Sequence, residues 1–372
     1  MRIGLFHPNA RSIHAMSPEM LARCADPLDI DAQVAMARAA EEVGLDYLFM
    51  ADAWGRYGPR STAMGLQDPI LLPPILAAAL VPVTSRIGLI TTVHTSYFSP
   101  LVVARMGAAL DALSRGRWGI NVVTGAGMAE DLLVQTGVEF THDGRYERAE
   151  EFVEVLERAW SGRPFEFRGA HFDLAGDLVG PATVQQPRPL VVSAGASVAG
   201  QRFAGRYSDM VFMPGRTPLE TCRDRMDGIR AEAERAGRRG DDVRLQMHAS
   251  IVVRASGAEA REFAEELAAG VDVEAVAEYL GGIRSNISTY DDIYAEMGEL
   301  QLRQIGSVAG ARQIVGDPGE VADQIELLNT EFGCDGVAIT LPLWQASEVR
   351  RVGELLLPEL ERRGLWVAAP GV

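Results

Sequence analysis

Two kinds of apolar pattern alternate along almost the whole chain. One kind is a short run rich in β-branched and aromatic residues, which is typical of a strand buried on both faces. The other is a helix-length segment with apolar residues three and four positions apart, as in 29–44, 99–116 and 317–333. The strand-like runs lie at 2–7, 45–51, 86–93, 117–123, 189–194, 209–213, 244–253 and 334–340. Eight strand–helix units predict an α/β fold whose parallel strands close into a TIM (β/α)8 barrel.

The barrel is favoured over an open, doubly wound sheet, because an open sheet needs fewer strands. No GxGxxG sequence follows the first strand, where a dinucleotide-binding domain would have it. Two segments interrupt the alternation. Residues 164–187 have the pattern of a β-hairpin with a proline-ended loop, and residues 271–316 are longer and mixed, with glycine and polar clusters. We interpret both as insertions in one domain that spans 1–372.

Composition and charge argue against several classes of protein. The sequence has no run of about 18 apolar residues that would cross a membrane. A net charge of −16 without a basic stretch argues against nucleic acid as a partner. Cys24, Cys222 and Cys334 are far apart, and the first residues enter a strand without the layout of a signal peptide, which predicts a cytoplasmic protein. The six histidines lack the spacing of metal ligands, so no metal site is expected.

Polar residues follow several of the predicted strands, at the end of the barrel where TIM-barrel sites lie. Asn121 carries an amide that can hydrogen-bond a planar heterocycle, although it can also be a turn-forming asparagine. His7 and His94 end two strands and are candidates for substrate contact or proton delivery, with plain packing as the alternative. No GxSxG nucleophile elbow is present. A site with so few acid–base groups is typical of chemistry that a cofactor carries.

Two further segments are candidates for holding a phosphate group. Gly195, Ala196 and Ser197 lie between the fifth strand and a helix, where small residues let the backbone approach an anion and the helix start offers unpaired N–H groups. The alternative is that Ser197 is only the N-cap. Arg145 and Tyr146, at the start of the helix after the fourth strand, can hold a phosphate or form an ordinary solvated helix start.

The order of these motifs resembles the bacterial luciferase-like flavin-dependent monooxygenase family. The resemblance rests on ARM…D.LS.GR.G.N.VTG, then RYER, then SAG.S, and covers nearly the entire chain. It is similar above all to the branch of dimethylsulfone, alkanesulfonate and pyrimidine monooxygenases. It implies a TIM barrel that binds reduced FMN, FMNH2, which a separate NAD(P)H-dependent flavin reductase supplies. The reduced flavin captures O2 as a peroxyflavin, which inserts one oxygen atom into a small organic substrate.

The resemblance also implies roles for individual residues. Thr92 and Asn121 match the pair that lines the oxygen pocket on one face of the flavin, where a hydroxyl and an amide can stabilise a developing peroxide. The implied flavin-binding positions are Asp52, Ala53 and Asn121 beside the isoalloxazine, Glu130 after them, Arg145 and Tyr146 as the family's Arg–Tyr pair, and Gly195, Ala196 and Ser197 at the phosphate.

The sequence departs from similar family members at Ala126, where many of them carry tryptophan. This departure keeps open a hydride-transfer enzyme of the same fold, which uses deazaflavin or tightly bound FMN without oxygen activation. A non-catalytic flavin-binding subunit is a second alternative, against which the presence of both Thr92 and Asn121 speaks. Barrels of this kind usually pair through their outer helices, so we expect a homodimer or a homotetramer.

Overall fold

The computed structural model describes residues 1–7, 9–10, 16–124, 142–195, 197–286, 298–308 and 312–367. The strands in this part of the chain are β1 (Arg2–His7), β2 (Tyr47–Met50), β3 (Gly88–His94), β4 (Trp118–Val123), β5 (Phe165–Arg168), β6 (Asp173–Gly176), β7 (Leu190–Ser193), β8 (Met210–Met213), β9 (Arg244–Val253), β10 (Arg312–Gly316) and β11 (Gly336–Thr340). All except β5 and β6 belong to one parallel sheet. The sheet closes because β9 pairs with both β8 and β11, and β11 pairs with β1. The predicted TIM barrel is confirmed.

The strand β10 is not predicted by the sequence pattern. It pairs with the second half of β9, Ala249 to Val253, whereas β8 pairs with the first half. Ala249 pairs with β10 and β11 at once, so these two strands lie on opposite sides of β9. The strand β10 therefore extends the barrel wall beyond β8, and the last residues of the 271–316 segment are part of the main sheet.

Side chains of the barrel strands alternate between the interior and the surrounding helices. Phe6, Phe49 and Phe212 point inward, and their ring centroids lie 5.0–5.3 Å apart. The His248 ring lies 4.8 Å from Phe6 and completes what we call the aromatic layer. Neighbouring residues such as Leu48 point outward into the main hydrophobic core. The aromatic layer fills the middle of the barrel and separates its two ends.

Helices surround the barrel and connect its strands. The predicted helices at 29–44, 99–116 and 317–333 are present, the last with an Asp317–Glu320 capping box and with Gly333 in the left-handed conformation, at φ 62°. The described helices are α1 (Pro18–Arg23), α2 (Ile30–Glu42), α3 (Pro59–Ala63), α4 (Pro73–Leu80), α5 (Pro100–Ser114), α6 (His142–Trp160), α7 (Val198–Tyr207), α8 (Leu219–Arg235), α9 (Gly257–Ala269), α10 (Val273–Asn286), α11 (Glu299–Val308), α12 (Pro318–Phe332), α13 (Ala346–Leu355) and α14 (Leu357–Arg362).

The segment 164–187 contains a small antiparallel hairpin formed by β5 and β6. The carboxylate of Glu151 on α6 accepts the backbone amides of Ala170, His171 and Phe172 in its turn, which attaches the hairpin to the barrel. In the segment 271–316, the described residues form α10 and α11 before β10. None of the described helices is long and apolar enough to cross a membrane.

Candidate active site

Thr92 and Asn121 lie side by side at the carboxyl end of the barrel. Parallel pairing of β3 with β4 places them opposite each other. Both side chains point inward, as does that of Ile90 two residues before Thr92. The Asn121 Nδ2 atom donates to Thr92 Oγ1 at 3.0 Å, and Thr92 Oγ1 donates to the Met50 carbonyl oxygen at 2.8 Å. The structure thus brings the predicted pair together, and this chain of hydrogen bonds fixes the orientation of the Asn121 amide.

The Asn121 amide has hydrogen-bonding capacity to spare. Its Oδ1 atom is buried and accepts no hydrogen bond from the described residues. One Nδ2 hydrogen is used by Thr92, and the described residues offer no acceptor for the other. Leaving a buried polar group unsatisfied costs about 1–3 kcal/mol. The amide therefore suits a ligand that presents a donor and an acceptor side by side.

Asp52 and His94 form a second buried polar pair beside the first. The Asp52 Oδ2 and His94 Nε2 atoms are 3.9 Å apart, and the two side chains are 3% and 5% exposed. Burial raises the pKa of the Asp52 carboxyl to about 7, against the opposing effect of a hydrogen bond from Trp54. Burial also lowers the pKa of His94 to about 4. Near neutral pH the imidazole is uncharged and the carboxyl is partly protonated, so the pair is a source of a proton without a strong local charge.

Aromatic side chains form a wall next to Asp52. The Trp54 Nε1 atom donates to Asp52 Oδ2 at 2.8 Å, which holds the indole close to the carboxyl group. The indole stacks on the Tyr97 ring at 4.4 Å between centroids and meets the Phe98 ring edge-on at 6.0 Å. This aromatic wall places apolar surface beside the polar groups of the site.

The two predicted phosphate-binding segments meet at the start of α7. Ser197 is the N-cap of this helix, and its Oγ atom accepts the Gly200 amide at 3.1 Å. Gly200 lacks a Cβ, and the Tyr146 hydroxyl lies 2.8 Å from the place where one would be. The absence of a side chain at Gly200 therefore lets Tyr146 approach the helix N-terminus. Ser197 serves as a cap, and its hydroxyl proton can still be donated to an anion.

Of the other site residues that the sequence predicts, the structure describes some and not others. Ala53 follows Asp52 and is half-buried, and Arg145 is half-buried on α6 beside Tyr146. Gly195 packs closely on α7, since a Cβ there would lie 2.9 Å from Ala204 Cβ. Glu130, Ala196 and the side chain of His7 lie outside the described residues, so their predicted roles stay predictions.

Sequence reasoning missed three buried polar atoms at this end of the barrel: Asn9 Oδ1, Thr95 Oγ1 and Ser250 Oγ. None has a hydrogen-bond partner among the described residues, and the same holds for both ring nitrogens of His94. Asn9 lies two residues after the end of β1, and Thr95 directly follows β3. Ser250 lies two residues after His248 on β9, so its side chain also points into the barrel. Position relative to the strand ends was the signal that could have identified them. Their number fits a polar ligand such as a flavin better than a solvent-free core.

The helices α3 and α10 contact each other near this end of the barrel. On α3, the amide and the Oγ atom of Ser61 donate to Glu278 on α10 at 2.7 and 2.9 Å. Arg60 pairs with Asp272 at 2.9 Å, and the Tyr57 and Tyr279 rings meet edge-on at 4.9 Å. The segment after β2 is thereby attached to the 271–316 segment. In the described ranges, no cluster of three His, Cys, Asp or Glu side chains could hold a metal ion.

Comparisons with known proteins identify the family of this chain. A family profile described as luciferase-like monooxygenase matches residues 1–335. The chain belongs to this family. It is 32% identical to one of the subunits of pristinamycin IIA synthase from Streptomyces pristinaespiralis, over 91% of this chain and 86% of that protein. It is 28% identical to nitrilotriacetate monooxygenase component A of Aminobacter aminovorans, over 91% of this chain and 87% of that protein.

The solved structures include a riboflavin lyase in complex with modified FMN and riboflavin, with 28% identity and a TM-score of 0.88. The match covers 100% of this chain and 94% of that one. The expectation of a flavin-dependent monooxygenase of the luciferase-like family is confirmed by these relatives. They do not favour the hydride-transfer alternative.

Proposed function

We propose that the protein uses FMNH2 and O2 to insert one oxygen atom into a small organic substrate, with water and FMN as the other products. The observation that carries this proposal is the Thr92–Asn121 pair, whose amide is oriented at the barrel mouth and keeps unused hydrogen-bonding capacity. The bound reduced flavin supplies the two electrons that the reaction with oxygen needs. The protein supplies the binding site, the orientation of the reactants and the proton.

Each polar group of the site has a role in this proposal. The second Nδ2 hydrogen of Asn121 donates to the negative charge that develops on oxygen, and Thr92 holds the amide for that purpose. Asp52, with its pKa near 7, releases a proton to the oxygen atom that leaves as water. Its neighbour His94 stays uncharged near neutral pH, because burial lowers its pKa to about 4. Burial of all four groups keeps bulk water away from the reacting atoms.

The phosphate of FMN is held at the start of α7. The Ser197 hydroxyl, the Tyr146 hydroxyl and the first amides of the helix supply donors, and the helix dipole favours the anion. Arg145, next to Tyr146 on α6, adds a positive charge. Gly195 allows the close packing that brings the strand end to the helix, and Ala196 and Glu130 complete the proposed flavin site as the family resemblance implies.

A separate NAD(P)H-dependent reductase supplies the reduced flavin. The relative from Aminobacter aminovorans is named as component A of its monooxygenase, which describes one part of a larger system. The chain itself has no GxGxxG sequence after its first strand. We place the protein in the cytoplasm, in keeping with three cysteines that form no disulfide within the described residues.

The aromatic wall of Trp54, Tyr97 and Phe98 favours a substrate with apolar surface. Arg56 precedes α3 and pairs with Asp68, and Arg60 on α3 pairs with Asp272. Neither therefore offers an unpaired positive charge to an anionic substrate. A homodimer or homotetramer is part of the proposal. The exposed apolar side chains of Ile75, Val102 and Leu113 on α4 and α5 support pairing through these outer helices.

The test is an anaerobic titration of the protein with FMN and with FMNH2, followed by oxygen. We expect tighter binding of FMNH2 and consumption of oxygen that depends on the supplied reduced flavin. Binding without any change in the rate of flavin oxidation would support the non-catalytic subunit instead. Failure to bind either flavin, together with binding of a deazaflavin, would overturn the proposal in favour of hydride transfer.

A further inference from the structure

A cavity of about 820 Å³ opens at the amino-terminal end of the barrel, opposite the candidate active site. Residues at which strands begin form its walls. Arg2 and Arg244 begin β1 and β9, and Arg117 and Asp209 directly precede β4 and β8. The aromatic layer lies between this cavity and the carboxyl end of the barrel. A ligand bound here is therefore separated from the flavin site.

The cavity has a positive charge in a protein whose net charge is −16. Seven arginines and four aspartates line it. Asp46 is already occupied by Arg2 and the Ile3 amide, and Asp209 by Arg188 and the Val191 amide. The negative charges of these two aspartates are thus used within the barrel wall.

Two of the arginines have no carboxylate partner among the described residues. The Arg117 guanidinium donates only to backbone carbonyls and to the Thr84 hydroxyl. Arg244 is exposed, and the structure gives its side chain no hydrogen bond or ion pair within the described ranges. Arg117 therefore contributes a positive potential, and Arg244 contributes a positive charge with all its donors available.

The floor of the cavity contains a buried amide with an unused donor. Tyr47 Oη donates to Gln246 Oε1 at 2.8 Å, whereas Gln246 Nε2 has no hydrogen-bond partner among the described residues. Gln246 is fully buried and lines the cavity. A Cβ on Gly336 would lie 2.4–2.7 Å from the Gln246 amide atoms, so the glycine makes room for this amide. The floor thus offers an N–H donor to an acceptor atom in the cavity.

Arg244 and Gln246 lie two residues apart on β9, so their side chains point to the same face of the sheet. The strand rise places their Cα atoms about 7 Å apart, a separation across which one oxyanion can contact both side chains. Ile90, Leu190 and Met210 supply apolar surface to the same cavity. We propose that the amino-terminal cavity is a second binding site, for a small organic anion whose carboxylate or phosphate contacts Arg244 and Gln246. Its carbon skeleton packs against the apolar wall.

The experiment uses the full chain and two probes, succinate for carboxylates and glycerol 3-phosphate for phosphate esters. Thermal unfolding and calorimetric titration are measured against sodium chloride at equal ionic strength. We expect at least one probe to raise Tm above the chloride control, and the responding probe identifies the anion class. Arg244→Gln should weaken the Kd of that probe about tenfold, because an available charged donor is lost.

Matched variants separate this site from other effects. Arg168→Gln changes an exposed arginine on the hairpin by the same charge and should bind the probe like the wild type. Gln246→Met replaces the amide in the cavity floor by a side chain of similar volume and should weaken binding of the probe. If this variant does not fold, Arg244→Gln still tests the proposal independently. Ser197→Ala should retain binding, since Ser197 lies at the other end of the barrel. Loss of binding in Ser197→Ala, equal binding in Arg244→Gln, or no response beyond chloride would each overturn the proposal.

Discussion

At the amino-terminal end of the barrel, the Asp209 carboxylate accepts hydrogen bonds from Arg188 and from the Val191 amide. At the carboxyl end, Asn121, His94 and Thr95 keep buried polar atoms that meet no partner among the described residues. The first arrangement stabilises the fold, because its polar groups satisfy one another. In the second arrangement, a bound ligand can supply the hydrogen bonds that these buried atoms do not find in the protein. Substitutions in the Asp209 cluster and among these carboxyl-end groups should therefore affect different properties, stability in the first and flavin chemistry in the second.

The largest effect is expected for Thr92→Ala. Without the hydroxyl, the Asn121 amide loses the hydrogen bond that orients it toward oxygen. We expect the oxidation of bound FMNH2 by O2 to slow about 100-fold, because the misoriented Asn121 amide no longer donates to the developing oxyanion and loss of one such donor usually costs this much. The dissociation constant of FMN should change less than about threefold, and Tm should stay close to that of the wild type. Rapid mixing of the reduced complex with oxygen measures the rate.

Thr92→Ser is the matched control for this prediction, because it keeps the hydroxyl and should retain most of the rate. Equal rates in the wild type, Thr92→Ala and Thr92→Ser would show that the pair takes no part in the reaction with oxygen. A large loss of FMN affinity in Thr92→Ala would assign the pair to flavin binding instead.

The opposite end is tested by Asp209→Asn. The substitution leaves the half-buried Arg188 without its closest carboxylate. We expect the free energy of unfolding to fall by about 2–3 kcal/mol, measured by urea denaturation. Flavin affinity and the rate of flavin oxidation should remain unchanged in the folded fraction. A slower reaction with unchanged stability would contradict the division between the two ends.

Ser197→Ala should have a smaller effect that is confined to the phosphate. Loss of the hydroxyl donor should weaken FMN binding about tenfold, while riboflavin, which lacks the phosphate, should bind with unchanged affinity. Loss of the N-cap also costs helix stability, about 1 kcal/mol. The comparison of the two flavins by fluorescence titration removes this second effect, because it acts on both. An equal loss of affinity for riboflavin would place the phosphate elsewhere.

The two ends also differ in how far the sequence predicts them. Most of the eight closing strands are recognisable as short apolar runs, whereas β10, with Arg312 and Gln313 in five residues, lacks this pattern. The neighbourhood of Thr92 and Asn121 follows from two adjacent strands and from the family resemblance. His94 is the last residue of β3, so its approach to Asp52 depends on the course of the chain after β2, and the pKa values of both groups depend on the resulting burial. The apolar pattern of the strands predicts neither this approach nor these pKa values.

The smallest effect concerns pH, because the shifts of Asp52 and His94 act in opposite directions. The raised pKa of Asp52, about 7 against 3.8, contributes stability that is present at low pH and is lost as pH rises through 7. The lowered pKa of His94, about 4 against 6.5, contributes stability above pH 6.5 that is lost as pH falls through 4. Between pH 4 and 6.5 the two dependences largely cancel in the wild type. Asp52→Asn should therefore reveal a stability that rises from pH 4 to 6.5, and His94→Gln one that falls, in urea denaturation at each pH. Parallel profiles for both variants would show that the two groups are charged in the folded protein and act as an ordinary ion pair.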